Sequence, residues 1–168
     1  TPEVCAALGN SIQIGLLSTI FSTILGTMIA FAIGRYAYRG RSSSNLLVFL
    51  PMATPEIVLG ASLLSLFLVF QINPGFWPTV IAHVMFCISF VVVTVKARIA
   101  SLDPRLEQAA MDLYANEFQT FRRVTLPLVA PGIGAAALLA FSLSFDDYII
   151  TSFNSGTLKT FPEYVYLS

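Results

Sequence analysis

Charge is what this chain has least of. Only 11% of its 168 residues are Asp, Glu, Lys or Arg, nine acids against nine bases, with a single histidine. Between Glu3 and Arg35 there is no charged residue at all. A water-soluble domain of this length carries about a quarter charged residues, so the composition argues against one. Nucleic acid is not an expected partner. Cysteine is also scarce: Cys87 falls in an apolar run and Cys5 near a membrane entry, so both read as small apolar residues rather than a disulfide. No basic start with a short core and cleavage site marks a signal peptide. There is no Walker loop, no metal-ligand cluster and no Ser-His-Asp order, so no catalytic residue, metal or cofactor is expected within this chain. The lone His83 lies in an apolar stretch and reads as a helix-contact or interfacial residue. No internal repeat, low-complexity tract or second, soluble domain is visible. The chain begins at Thr1 without methionine and ends Tyr166-Leu167-Ser168 without a basic tail, as a segment of a longer protein would.

Apolar residues, by contrast, make up 56% of the sequence, and the mean hydropathy is +0.79. A spanning helix needs about 20 apolar residues to cross a hydrocarbon core roughly 30 Å thick while satisfying its own backbone. Four stretches meet that test, at 11–34, 45–70, 79–95 and 131–150. The expected fold is therefore an all-α, polytopic membrane helix bundle in a single domain over 1–168, with a water-facing loop at 96–123. The second stretch contains Pro51, Pro55 and Glu56 and should be kinked or partly unwound. The third follows the turn signal Asn73-Pro74-Gly75, and the fourth should begin at Pro131, where proline suits a first helical turn.

Positive charge sets the orientation, because short cytoplasmic loops collect Lys and Arg. Arg35, Arg39 and Arg41 follow the first span; Lys96, Arg98, Arg105, Arg122 and Arg123 lie between the third and fourth. Four alternating spans put both groups on one side, the cytoplasmic one, and only Lys159 opposite. Arg122 and Arg123 read as anchors on anionic lipid. Small residues recur at a spacing of four at Gly26, Ala30 and Gly34, and again at Gly132, Ala136, Ala140 and Ser144. In lipid such stripes let helix backbones approach closely, and both are expected at helix contacts.

The loop itself cannot span a bilayer. On a helix Leu106, Ala110 and Leu113 share one face, small Ala109 and Ala110 allow close approach, and Arg105, Glu107 and Asp112 are placed to form ion pairs at the rim of a partner's groove. The alternative is a helix lying on its own protein or on headgroups. Acids within apolar stretches are the other candidates, since an ionised side chain at mid-bilayer costs on the order of 3 kcal/mol. Glu56 falls about eleven residues into the second stretch, near mid-depth at about 1.5 Å rise per residue. Asp146 and Asp147 fall near the outer end of the fourth. Glu56 and one of the Asp pair, with Trp77, Phe145 or Tyr148, would suit a flexible polycation, whose amines need carboxylates and whose methylenes need aromatic surface. The competing readings are that Glu56 pairs with backbone amides freed by the prolines and that the Asp pair caps a helix end.

The run from 106 to 131, with Glu107, Ala109, Ala110, Asp112, Leu113, Phe121-Arg122-Arg123, Leu126-Pro127 and Pro131-Gly132, resembles the EAA loop of ATP-binding-cassette importer permeases. Tyr114 departs from that pattern, which has glycine there to turn the backbone between two short helices; a tyrosine must accept a strained turn or use another conformation. Pro55-Glu56-Ile57-Val58, Gly60, Gly75-Phe76-Trp77, the run from Phe90 to Val95, Ser144-Phe145-Asp146-Asp147 and Ser155-Gly156 are most similar to the second permease of spermidine/putrescine importers. The resemblance implies spans two to five of a six-span permease in a bacterial inner membrane. It also implies a second permease subunit, two ATPase subunits holding ATP and Mg and docking on the loop, and an extracytoplasmic solute-binding protein. Alternatives are a permease for another solute, an ion-coupled carrier using Glu56 and Asp147, and a non-transporting membrane scaffold.

Overall fold

The computed structural model describes residues 2–167, and among these every regular element is helical. In chain order they are α1 (Pro2–Arg35), α2 (Arg41–Ala53), α3 (Glu56–Val69), α4 (Phe76–Ala100), α5 (Arg105–Asp112), α6 (Glu117–Thr120), a π-helical turn (Phe121–Thr125), α7 (Leu126–Asp146), α8 (Ile149–Asn154) and α9 (Phe161–Leu167). Helices α1 and α4, and the continuous run from Glu117 to Asp146, are each long and apolar enough to cross a membrane. The fourth expected span is α2 and α3 together, bent by 106° between them.

The bend follows from Pro55. Thr54, forced out of the helical region by the following proline ring, has φ −82° and ψ 132°, and Pro55 is itself extended at ψ 135°. Two consecutive extended residues stop α2, and Thr54 closes it by donating from both its N–H (3.0 Å) and its hydroxyl (2.6 Å) to the Leu50 carbonyl. Glu56 therefore opens a new helix, and the depth expected for it from a straight rod does not hold. The other boundaries also move. Helix α1 starts nine residues before 11, because nothing in 2–10 breaks a helix and Glu3 suits its first turn. Pro131 does not start the last span: α7 begins at Leu126, with Pro127 in its first turn and Pro131 inside it, and ends at Asp146, where Asp147 turns extended at ψ 120°.

Helices α1, α4 and α7 form the core. Along α1 the buried residues are mostly small or polar, Ala7, Ser11, Gly15, Ser18, Ser22, Gly26 and Ala30 beside Ile14 and Ile33, while Leu16, Ile20, Ile24 and Met28 face outward. That is the inverse of a water-soluble helix, and the reason is the solvent: lipid accepts large apolar side chains, so the small ones are left for helix contacts. A Cβ placed on Gly26 would sit 2.6 Å from Val91 Cγ1, and one on Gly132 would sit 2.6 Å from Arg98 Cγ. Ala30, Ala136 and Ala140 are fully buried. Both stripes of small residues thus face neighbouring helices.

A chain of buried polar groups completes the bundle. His83 Nδ1 hydrogen-bonds with Ser144 Oγ at 2.6 Å, Ser144 with Ser18 Oγ at 2.8 Å, and His83 Nε2 with Thr151 Oγ1 at 2.8 Å, linking α4, α7, α1 and α8. His83 is a helix contact, and Cys87, one turn away on the same side, reaches the Ala140 carbonyl at 3.5 Å. At the opposite end, Arg98 donates to the Leu128 carbonyl (3.0 Å) and Lys96 to Asn45 (2.6 Å), while Asn10 donates to the Lys159 carbonyl at the far side. The basic groups before α2 and at the end of α4 therefore share one end, and Lys159 takes the other.

Two stability outcomes follow. Gly26→Ala should destabilise the detergent-solubilised protein by about 1–3 kcal/mol through overpacking against Val91, whereas Gly134→Ala, with open space beyond it, should not. Ser144→Ala strands a buried His83 nitrogen and should cost about 1 kcal/mol, while Ser142→Ala on the exposed face should be neutral; melting temperatures of the four variants check both.

Candidate functional site

The loop between α4 and α7 folds as a compact helical module. Asp103 opens α5 by accepting the Arg105 N–H at 2.9 Å. Helix α5 then closes with the Ala115 N–H on the Ala110 carbonyl (3.2 Å) and the Tyr114 N–H on the Met111 carbonyl (3.0 Å), the paired bonds of a Schellman motif. Such a motif requires a left-handed residue just past the helix, and Tyr114 supplies it at φ 64°. Of the two conformations open to it, the tyrosine takes the strained one, at a cost of about 1–2 kcal/mol relative to glycine. Asn116 and Gln119 next form a reciprocal capping box at 2.8 and 3.1 Å, which starts α6 and, through the π turn, α7.

Several large side chains of this module are exposed. Tyr114 is 98% exposed, Leu113 81% and Phe118 69%, with Leu106 and Met111 also exposed. Arg105, Ala109 and Asp112 are exposed beside them, and Ala110 is half-buried. Glu107 differs from the other two expected rim charges: it turns inward, where it pairs with Arg35 at the end of α1 and accepts the Thr125 hydroxyl at 2.6 Å. These residues lie in a cleft of about 800 Å³ between α1, α5 and the π turn. Arg122 and Arg123 are exposed on that turn.

At the opposite end the structure separates the two aspartates. Asp147 is 8% exposed; its carboxylate accepts the Thr151 N–H at 2.9 Å and the Thr151 hydroxyl at 3.1 Å, and its Oδ2 lies 3.5 Å from His83 Nε2. It starts α8 as an N-terminal cap and joins the buried polar chain, so it does not line an open surface. Asp146 is exposed. Phe145 stacks between Phe141 and Phe161, and Tyr148 packs on Tyr166 at 4.7 Å. Trp77 is exposed beside Phe76 at the start of α4. Glu56 is exposed and makes no hydrogen bond to the described residues, so it does not satisfy amides freed by the prolines. Helix α3 is held there by α8: Gly60 packs on Phe153 and Ile150, where a Cβ would meet Phe153 at 3.0 Å.

Sequence reasoning missed Arg35 and Thr125 as partners of Glu107, since no spacing links three residues so far apart. It also missed Ser18 and Ser22, which the spacing of four that marks Gly26, Ala30 and Gly34 would have reached if continued toward the N-terminus. No group of three or more His, Cys, Asp or Glu able to hold a metal ion occurs among the described residues.

Comparison with known proteins places this geometry. Residues 22–157 match the family model for binding-protein-dependent transport system inner membrane components. The chain is 40% identical over 150 residues to the spermidine/putrescine transport system permease protein PotC of Escherichia coli (strain K12), covering 89% of this chain and 57% of that protein. It is 37% identical over 172 residues to the putrescine transport system permease protein PotI of the same strain, covering 97% and 61%. The chain thus spans about three fifths of the length of the curated relatives it matches. Among solved structures, an inward-facing MetNI methionine ABC transporter aligns with TM-score 0.82 at 14% identity, over 98% of this chain and 79% of that one. An amino acid ABC transporter with histidines aligns with TM-score 0.75 at 18% identity, over 99% and 78%. At those identities the likeness establishes a shared fold. With a family model covering most of its length, an all-helical bundle of the same fold and an exposed helical loop between its last two long helices, the chain belongs to the binding-protein-dependent transport system inner membrane components.

Proposed function

We propose that this chain is the membrane-embedded part of a permease subunit in an ATP-driven importer of polyamines, spermidine or putrescine, in a bacterial inner membrane. The observation that carries this reading is the helical module 101–120, which leaves Leu113 and Tyr114 almost fully exposed, in a chain 40% identical to a spermidine/putrescine permease. A second permease subunit would complete the translocation pathway, two ATPase subunits would supply ATP and Mg, and an extracytoplasmic protein would deliver the solute. The permease does no chemistry. ATP binding would close the ATPase pair, move the docked module, and rock the bundle between inward-open and outward-open arrangements.

The docking surface is the exposed face built from Arg105, Ala109, Asp112, Leu113 and Tyr114, with Ala110 beneath it. Apolar anchors at its centre and charges at its rim fit the usual division between affinity and register. For the solute, Glu56 and Asp146 are the carboxylates that face outward, and Trp77 supplies an exposed aromatic face near the same end of the bundle. Asp147, Phe145 and Tyr148 support that end through capping and ring packing. The broken α2–α3 pair also favours a second reading, an ion-coupled carrier, because interrupted spans line ion sites in such proteins. An ATPase that co-purifies with the full-length permease distinguishes the importer from the carrier.

Two results are expected of the full-length protein reconstituted with its partners. Leu113→Asp should abolish co-purification of the ATPase, and Tyr114→Gly, which relieves the left-handed strain but removes the ring, should weaken it by about 1–2 kcal/mol as a lost aromatic anchor. Glu56→Gln and Asp146→Asn should each raise the spermidine concentration for half-maximal uptake several-fold, on the order of 1 kcal/mol per lost charge contact. Unchanged uptake in both would remove these acids from the pathway.

A further inference from the structure

The inward turn of Glu107 separates two jobs within one helix of eight residues. Its neighbours Arg105, Ala109 and Asp112 face water, but its own carboxylate is held on both sides by the bundle: by the Arg35 guanidinium at the last residue of α1, and by the hydroxyl of Thr125, a fully buried residue that closes the π turn before α7. The Arg35 and Glu107 side chains are only 31% and 24% exposed, so solvent screens the pair incompletely. A second contact runs in parallel, with Phe31 edge-on to Phe121 at a ring separation of 5.3 Å, joining the last turn of α1 to the first residue of the π turn. Helix ends reinforce the ionic contact, since Arg35 sits at a C-terminus and Glu107 in a first turn, each matching the local dipole.

We infer that Arg35, Glu107 and Thr125 form a transmission joint: Glu107 is a positioning residue that fastens the docking helix to α1 and α7 together, and it is not itself a contact for the ATPase. The geometry gives the joint its purpose. Apart from its packing on the π turn and α6, helix α5 is joined to the membrane helices through the 101–104 link on one side and the Tyr114 turn on the other. A push on Leu113 or Tyr114 without the joint would rotate α5 about these links. With Glu107 pinned at two points, the same push must displace the α1 C-terminus and the π turn. A π turn carries an extra residue in the helical ladder and is a natural place for a long helix to flex, and Thr125 sits in it. Because Thr125 also leads directly into α7, whose Ser144 meets Ser18 and His83, displacement at the cytoplasmic end has a continuous packed route to the polar chain at the other end.

This inference rests on the proposed docking of an ATPase at the exposed face, and the test keeps the two apart. The full-length permease, co-expressed with its second permease and ATPase, is reconstituted in proteoliposomes and assayed for ATPase co-purification, ATP hydrolysis and spermidine uptake. Glu107→Gln, Arg35→Gln and Thr125→Val should keep the ATPase bound at wild-type stoichiometry while uptake per ATP hydrolysed falls about tenfold, within the usual range of coupling free energies. The exchange Arg35→Glu with Glu107→Arg should recover most of that ratio, a rescue that a general loss of stability would not give. Loss of the ATPase from Glu107→Gln, with Arg35→Gln still binding it, would overturn the joint and make Glu107 a docking contact, leaving the functional reading intact. Unchanged uptake per ATP in Arg35→Gln, or no recovery in the exchange despite normal assembly, would also overturn it. Absence of any ATPase from the wild-type complex would remove the joint and the functional reading together.

Discussion

Close approach of three helix backbones is the constraint on which the rest of this structure depends. In water, burying leucine and isoleucine would bring α1, α4 and α7 together; in lipid that gain vanishes, and the helices associate only as tightly as their surfaces allow. Gly26 against Val91, Gly132 against the Arg98 stem, and fully buried Ala30, Ala136 and Ala140 let them meet at short range. Once they meet, side chains that are costly to bury singly satisfy one another. His83, Ser144, Ser18 and Thr151 form a single hydrogen-bonded chain only because the backbones around them are so close. The same proximity lets Arg98 reach the Leu128 carbonyl across the α4–α7 interface.

Function is divided between the two ends of that bundle. At the end that carries the basic groups an eight-residue helix leaves one face exposed, the surface proposed to dock a partner, and turns one carboxylate inward toward its own scaffold. At the other end Asp147 starts α8 and braces His83, while Glu56 and Asp146 are exposed. The sharp break at Thr54 and Pro55 carries Glu56 to the start of α3, alongside α8 rather than within a straight span. Proline here serves placement: without it, the glutamate would lie partway along a continuous apolar helix.

Much of this was legible in the sequence because lipid imposes simple rules. The apolar runs gave the long helices, the spacing of four gave the contact stripes, and the basic residues gave the grouping of two links at one end of the bundle. Boundaries were read poorly wherever bilayer thickness stood in for helix stop signals: α1 begins at Pro2 because nothing breaks it there, and α7 begins before Pro131 because a π turn carries the helix through from α6. The glycine-to-tyrosine departure at 114 pointed to a strained turn, and the φ of 64° is that strain. What no local pattern could provide was the pairing of Arg35, Glu107 and Thr125, since two residues of opposite charge on separate helices are indistinguishable from any other such pair until the helices are packed.

The most direct test is uptake of labelled spermidine into proteoliposomes containing the full-length permease, its second permease and the ATPase, with the solute-binding protein supplied outside. Accumulation that requires ATP and disappears when the ATPase is omitted, or when Leu113→Asp prevents its docking, is the predicted result. Accumulation that persists without the ATPase, driven by an ion gradient, would contradict the account.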